Sequence, residues 1–509
     1  MAKTSKSGRA NRKVVSGGVI VIIVAIVLII ACFFTYISGV LPRTLTGVSI
    51  TETLPDGTKK TVKNFNLLET NMHFKEVFST YSNYGMVTEE ALDAIYNEST
   101  GETYRDWILR EAASQMKTLA FVERAAEESG FMQYSKAREY AAAQSASVDA
   151  YAAMYGFQSA QQYMAAMYGT GMTTRDFIDY SAREILVTEY GYYLKQFDPA
   201  VVPNADQIQA EFDANPYKYY TYDFNRYFIT AEKDADGNIT GLDDAIAAAN
   251  KIAAASKDSA SFRKAVMDYL TEKGDETSLA SFADDADPTL NLGYTNDSIA
   301  YMDSDIQDFF YGDSKPGETL VVETTTGAFV IYLVDKRLED TKTVSYRVLT
   351  LSNETARNSE ATPEEVTQAA QDLAAEAATY CTNGMDPLSF YNVVKNHSTS
   401  QAMLDGGYVS GATADSFVTS DADNPLDMAQ VQAGMWLFED GRQQGDVKIF
   451  ISDDQKTVYV YYFEESAPIW QSQVKTTLIT TNFTNWNSQL MANDPQYEVN
   501  AGLMRVFIY

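Results

Sequence analysis

YYTYDFNRYFIT (219–230) and VSYRVLTL (344–351) each open the same succession of elements, and that succession decides the fold. Apolar and polar residues alternate in both, the period of a strand with one buried face. Behind the first come a turn at Asp236-Gly237-Asn238, an Ala-rich helix near Asp243–Ser256, and Phe262. Then follow Leu292-Gly293-Tyr294, a helix near Asp303–Tyr311, Pro316-Gly317 and the strand Ala328–Asp335. Behind the second comes Thr362-Pro363-Glu364-Glu365, a helix start with Pro at its first position. Its stripe is Val366, Ala370, Leu373, Ala377 and Tyr380, followed by Phe390, Gly406-Gly407-Tyr408 and the strand Thr457–Phe463. Like features lie about 114 to 129 residues apart, which predicts two copies of one α+β module.

The chain before the modules is helical in pattern from about 66 to 198, after a strand-rich entry at 43–65. Thr103 with Asp106 reads as a helix start, and Ile108, Ala112, Met116, Leu119, Val122 and Ala126 form its stripe up to Gly130. A second long helix follows Thr173 and Asp176. Met116, Met132, Met154, Met164, Met167 and Met172 punctuate this region; flexible thioethers suit promiscuous apolar binding and core filling alike. After Pro468 a helix runs through Trp470, Val474, Leu478, Phe483 and Trp486, and Val506-Phe507-Ile508-Tyr509 predicts a closing strand.

At the N-terminus, Lys3, Lys6, Arg9, Arg12 and Lys13 precede a charge-free stretch, in which Val19–Val40 is apolar over 22 residues. About 20 such residues cross a hydrocarbon core as a helix, and the basic cluster predicts a cytoplasmic N-terminus. A cleaved signal peptide has a shorter apolar region. Ile29-Ile30-Ala31-Cys32 also fits a lipidation motif, which leaves a lipoprotein anchored through Cys32 as the alternative. The formal charge of −30 disfavours nucleic acid and anionic headgroups as partners of the exported part. Only Cys32 and Cys381 are present, so no disulfide framework is expected.

The repeated module resembles a parvulin domain, and the whole layout resembles the SurA/PrsA group of extracytoplasmic chaperones and PpiC-type peptidyl-prolyl isomerases. The family's R-H-I-L strand reads Arg226-Tyr227-Phe228-Ile229 here, and its glycine loop reads Asn291-Leu292-Gly293-Tyr294 and Leu404-Asp405-Gly406-Gly407-Tyr408. Its Met-x-x-x-Phe helix reads Met302 to Ile306, its "lkpGe" turn Ser314-Lys315-Pro316-Gly317-Glu318, and its closing strand Gly327 to Leu333. The resemblance implies an α+β multidomain chain. Its parts are a basic tail (1–16), a transmembrane helix (17–41), a helical SurA-N-like chaperone domain (42–203) and two modules (204–340, 341–465). A C-terminal helix and strand (466–509) pack back on the chaperone domain.

The resemblance implies a pocket with two histidines beside Met and Phe. Here the first position is Tyr227 or, in the second copy, Arg347, and the second is Phe329 or roughly Val458. His73 and His397, the chain's only histidines, fall on neither. Tyr227, Met302, Ile306 and Phe329 are therefore expected to line a degenerate pocket, positions that ordinary core packing would equally fill. Prolyl isomerisation needs no nucleophile or cofactor, only desolvation and twisting of an amide, so missing histidines weaken activity without abolishing it in principle.

No Gly-x-Ser-x-Gly elbow, phosphate loop or His/Cys cluster is present. Asp234 to Asn238 departs from a calcium loop, with Ala245 at the twelfth position, and reads as a hairpin turn. No cofactor or metal is expected. The implied function is a membrane-anchored chaperone or foldase for newly exported polypeptides, with the helices of 66–198 and 466–500 as a client cradle. An active isomerase and a non-catalytic envelope scaffold for one fixed partner are the alternatives. No nucleic acid or small-molecule substrate is expected.

Overall fold

The computed structural model describes residues 39–398, 403–418, 427–492 and 495–507. The basic tail, the expected transmembrane segment but for its last three residues, Cys32, the acidic run 421–424 and Ile508–Tyr509 lie outside them. Among the described residues no helix is long and apolar enough to cross a membrane. The chain is α+β, with four small antiparallel sheets among the described residues. It divides into two units, 1–196 with 483–509, and 197–482.

In the first unit β1 (Thr46–Thr53) and β2 (Lys59–Asn66) form a hairpin, and the C-terminal strand Gln496–Val499 pairs with the free edge of β1. Asn66 ends β2 and starts α1 (Leu67–Asn83), its side chain accepting the Glu69 N–H at 2.9 Å. This is the acceptor geometry that satisfies an orphan N–H of the first turn. A two-strand ribbon, β3 (Ile95–Asn97) with β4 (Glu102–Thr103), leads into α2 (Tyr104–Glu128), where Thr103 accepts from the Asp106 N–H. Val48, Ile50, Phe65, Ala113, Met116 and Phe121 close one core between sheet and α2. Two short helices, α3 (Val148–Met154) and α4 (Ala160–Tyr168), precede the long α5 (Thr174–Phe197). The strand expected at 506–509 is corrected at its two described residues: Ala501–Phe507 is helical, the Asn500 side chain accepting the Leu503 N–H of its first turn.

The second unit carries the repeat. The first module runs β5 (Tyr220–Thr230), α6 (Leu242–Ala255), α7 (Ser259–Lys273), β6 (Leu290–Tyr294), α8 (Ser304–Tyr311), β7 (Thr319–Thr324) and β8 (Gly327–Leu338). The second runs β9 (Lys342–Ser352), α9 (Pro363–Tyr380), α10 (Pro387–His397), β10 (Tyr408–Ala412), α11 (Met428–Leu437), β11 (Val447–Ile451) and β12 (Thr457–Pro468). The sheets share one strand order, β6-β5-β8-β7 and β10-β9-β12-β11.

The likeness extends to single residues. Tyr220 pairs with Leu338 and Thr230 with Gly327; Lys342 pairs with Pro468 and Ser352 with Thr457. β5 thus maps onto β9 with an offset of 122 residues and β8 onto β12 with 130. Each long pair bulges once at the same place, leaving Val334 unpaired in the first module and Glu464 in the second. Phe262 and Phe390 fill matching core positions at 0% exposure. The Tyr332 hydroxyl donates to the Lys257 carbonyl at 2.8 Å, and the Tyr462 hydroxyl to the Met385 carbonyl at 2.9 Å.

This register corrects two equivalences expected from sequence. Gly293 matches Gly411, not Gly407: both have φ near +65° (68° and 61°), and their N–H groups are taken by Asp223 and Ser345, themselves equivalent. The offset of 122 also pairs Arg347 with Asn225, and Tyr227 with Leu349; that of 130 pairs Phe329 with Tyr459 rather than Val458. The bulges coincide, so it is connections of unequal length that change the offset from strand to strand, and motif spacing alone slips by a few residues.

Candidate functional site

Strand alternation separates the four residues expected to share a pocket. Side chains of successive strand residues point to opposite sheet faces. Tyr227 lies with Ile229 on the face covered by α6 and α7, half-buried beside Tyr269. Met302, Ile306 and Phe329 lie on the other face, packed with Phe310, Val322 and Ile331. Ile306 is 1% exposed, so this cluster is core. Phe329's actual partners are Phe228, ring to ring at 4.6 Å, and Arg226, whose guanidinium stands 5.9 Å from the ring. An alternation count along 226–229 could have identified both.

The equivalent positions Asn225 and Arg347 are each fully buried polar side chains on the first strand of their module. Asn225 donates to Asp287 at 3.1 Å and to Thr289 at 2.9 Å. Arg347 meets the bulged Glu464, Nε to Oε2 at 2.8 Å, with Nη2 donating to Oε1 at 3.4 Å, between the rings of Phe197 (5.1 Å) and Tyr408 (5.0 Å). Burial raises the Glu464 carboxyl above its usual range although Arg347 draws it down. Neither group faces solvent, and neither module carries a histidine there. His397 ends α10 and stacks on Tyr380 at 4.0 Å.

The open surface of the second module is a groove of about 560 Å³ between α11 and β11. Met435 (73% exposed) stands beside Trp436 and Phe450, which show only their edges (5% and 7%) and belong to the module core, and Glu439 and Lys448 form the polar rim. β11 is the sheet edge. The Val447 N–H points away from β12 to Asn383 Oδ1 at 2.7 Å, so alternation aims the backbone groups of Ile449 and Ile451 outward too. Flexible and aromatic side chains beside a free strand edge can hold an extended peptide without reading its sequence.

The six methionines divide evenly: Met116, Met164 and Met172 are fully buried, while Met132, Met154 and Met167 are exposed. His73, on α1, is buried, its Nδ1 lying 3.0 Å from Glu184 and 3.5 Å from Glu76. These three are the one group among the described residues whose donor atoms lie close enough together to hold a metal ion. Burial opposes the imidazolium, but its hydrogen bonds to the Glu184 and Glu76 carboxylates outweigh that and push His73 up to about 9. The other ring nitrogen, Nε2, is buried without a hydrogen-bond partner among the described residues. Asp234 accepts the N–H groups of Asp236 and Asn238, an Asx-type turn rather than a calcium loop.

No protein-family model matches the chain, and no curated protein matches it.

Proposed function

We propose that the chain is a single-pass membrane protein whose extracytoplasmic part is a SurA/PrsA-type folding factor, its parvulin-like modules holding clients rather than isomerising them. The observation that carries this reading is the twice-used module whose second copy keeps an open apolar groove beside a free strand edge. An unfolded segment adds to β11 through the outward backbone groups of Ile449 and Ile451 and lays alternate side chains against Met435, Trp436 and Phe450. Backbone pairing gives affinity that is blind to sequence, as a general folding factor requires. The acidic surface favours basic clients. The first unit, in which the C-terminal strand closes the N-terminal sheet, serves as the SurA-N-like chaperone domain. The basic residues 3–13 and the apolar run 19–40 support a tether with the N-terminus in the cytoplasm.

The test is aggregation of an unfolded client with the full chain in detergent at several-fold excess. Suppression by the native chain, weakened by Met435→Asp with Ile449→Pro, is expected. Absence of suppression by the native chain refutes the reading. A proline-peptide exchange rate above buffer would instead establish the active isomerase.

A further inference from the structure

The segment 141–172 is anomalous in this chain: it carries one charged residue, Asp149, although Asp, Glu, Lys and Arg make up 21% of the whole. It includes α3 and α4, whose inner face (Val148 and Met164), with Met172 just beyond α4, is buried against Leu68, Met72 and Tyr180. Outside, the two helices carry one charge, the exposed Asp149, where a solvated helix face ordinarily carries several. The outer face also exposes Tyr151 (48%), Met154 (65%), Tyr155 (64%) and Met167 (45%). Tyr155 stacks on Tyr163 at 6.0 Å, and burial, then Tyr155 and Tyr151, raise the Tyr163 hydroxyl above its usual value.

The place where the chain leaves the apolar run lies on the same segment. Gly39, one residue before the end of that run, abuts Gly171 so closely that a Cβ on it would stand 2.7 Å from the Gly171 carbonyl oxygen. Arg43 fixes the contact: Nε and Nη2 pair with the Asp176 carboxylate at 2.9 and 2.7 Å, and Nη2 donates to the Gly171 carbonyl at 2.6 Å. Gly171 is three residues beyond the end of α4. No free linker separates the end of the apolar run from α4.

We propose that the outer face of α3 and α4 is a membrane-facing surface that rests in the lipid interface, with Tyr151, Met154, Tyr155 and Met167 among the headgroups. The inference rests on the transmembrane tether of the preceding reading. A tether clamped beside this face holds it at the bilayer. Amphipathic aromatic rings favour the interface, and a segment whose one charge is Asp149 is repelled by anionic lipid less than the acidic remainder of the chain.

The experiment places a nitroxide on Tyr155→Cys or Met167→Cys of the full chain carrying Cys32→Ser. The chain is reconstituted in vesicles of phosphatidylcholine and phosphatidylglycerol, with Ser359→Cys on the second unit as the reference. A several-fold higher ratio of oxygen to nickel-complex collision at 155 and 167 than at 359 is expected. Vesicle flotation with water-like ratios at both positions overturns the surface while leaving the tether standing. Failure to float overturns the tether and this inference with it. Labels immobilised by an added unfolded protein, but unchanged by vesicles, overturn it in favour of a client surface.

Discussion

The two modules of the second unit share strand order, bulge, core phenylalanines and a tyrosine bond to the start of the second helix, yet fill one equivalent buried position with different chemistry. The first holds a neutral amide, Asn225, bonded to Asp287 and Thr289. The second holds Arg347, and the bulge residue that is Val334 in the first is Glu464 in the second. Both modules thus bury a partnered polar side chain at this place, neutral in one and charged in the other. A second difference follows on the other face. In the first module Phe309, Phe310 and Leu320 pack into the core beneath α8, whereas in the second the helix α11 and edge β11 leave Met435 outward and a groove between them.

The comparison breaks most sharply at the ion pair. Arg347→Ala strands a buried carboxylate and is expected to destabilise the second module by about 3–5 kcal/mol, the usual cost of removing one partner. Urea unfolding followed by tryptophan fluorescence measures it. Replacing the pair by the first module's residues, Arg347→Asn with Glu464→Val, is expected to recover much of that loss; no recovery would show that the two positions are not equivalent. Asn225→Leu, in the first module, is expected to cost less, about 1–3 kcal/mol, from the unpaired Asp287 and Thr289 acceptors.

The first unit supplies a contrast in pH. His73 is raised in the folded chain, from 6.5 to about 9. A raised folded-state value contributes stability that is complete below the unfolded value and lost as pH rises through the folded one. Unfolding of the first unit should therefore become easier between about pH 6.5 and 9, and His73→Gln should flatten that slope. An unchanged slope in the variant would assign it to other groups. The smallest effect is expected for Tyr227→His. It restores a histidine where the family pattern has one, but on the sheet face opposite Met302 and Phe329, so the proline-exchange rate should stay at that of the native chain.

Much of the fold was legible because its signals are local. Alternation at 219–230, the capping pairs Thr103–Asp106 and Thr362–Glu365, and the apolar stripe of α2 depend only on near neighbours, and each appears where the residues predict it. The site was less legible. Grouping Tyr227 with Phe329 required knowing which face each occupies, and matching Arg347 to Asn225 rather than Tyr227 required the pairing register of β5 and β9. The even division of the methionines was invisible to composition.

By itself, the sequence determined the order of elements, the existence of a repeat, the apolar run before Pro42 and the lack of histidines for two catalytic pairs, because these follow from residue type and short-range spacing. Tertiary structure alone decided which residues are equivalent between the modules, that Arg347 meets Glu464 across 117 positions, and that Gly39 is held against Gly171. Those facts depend on register and on long-range packing, which connections of unequal length shift and no local pattern records.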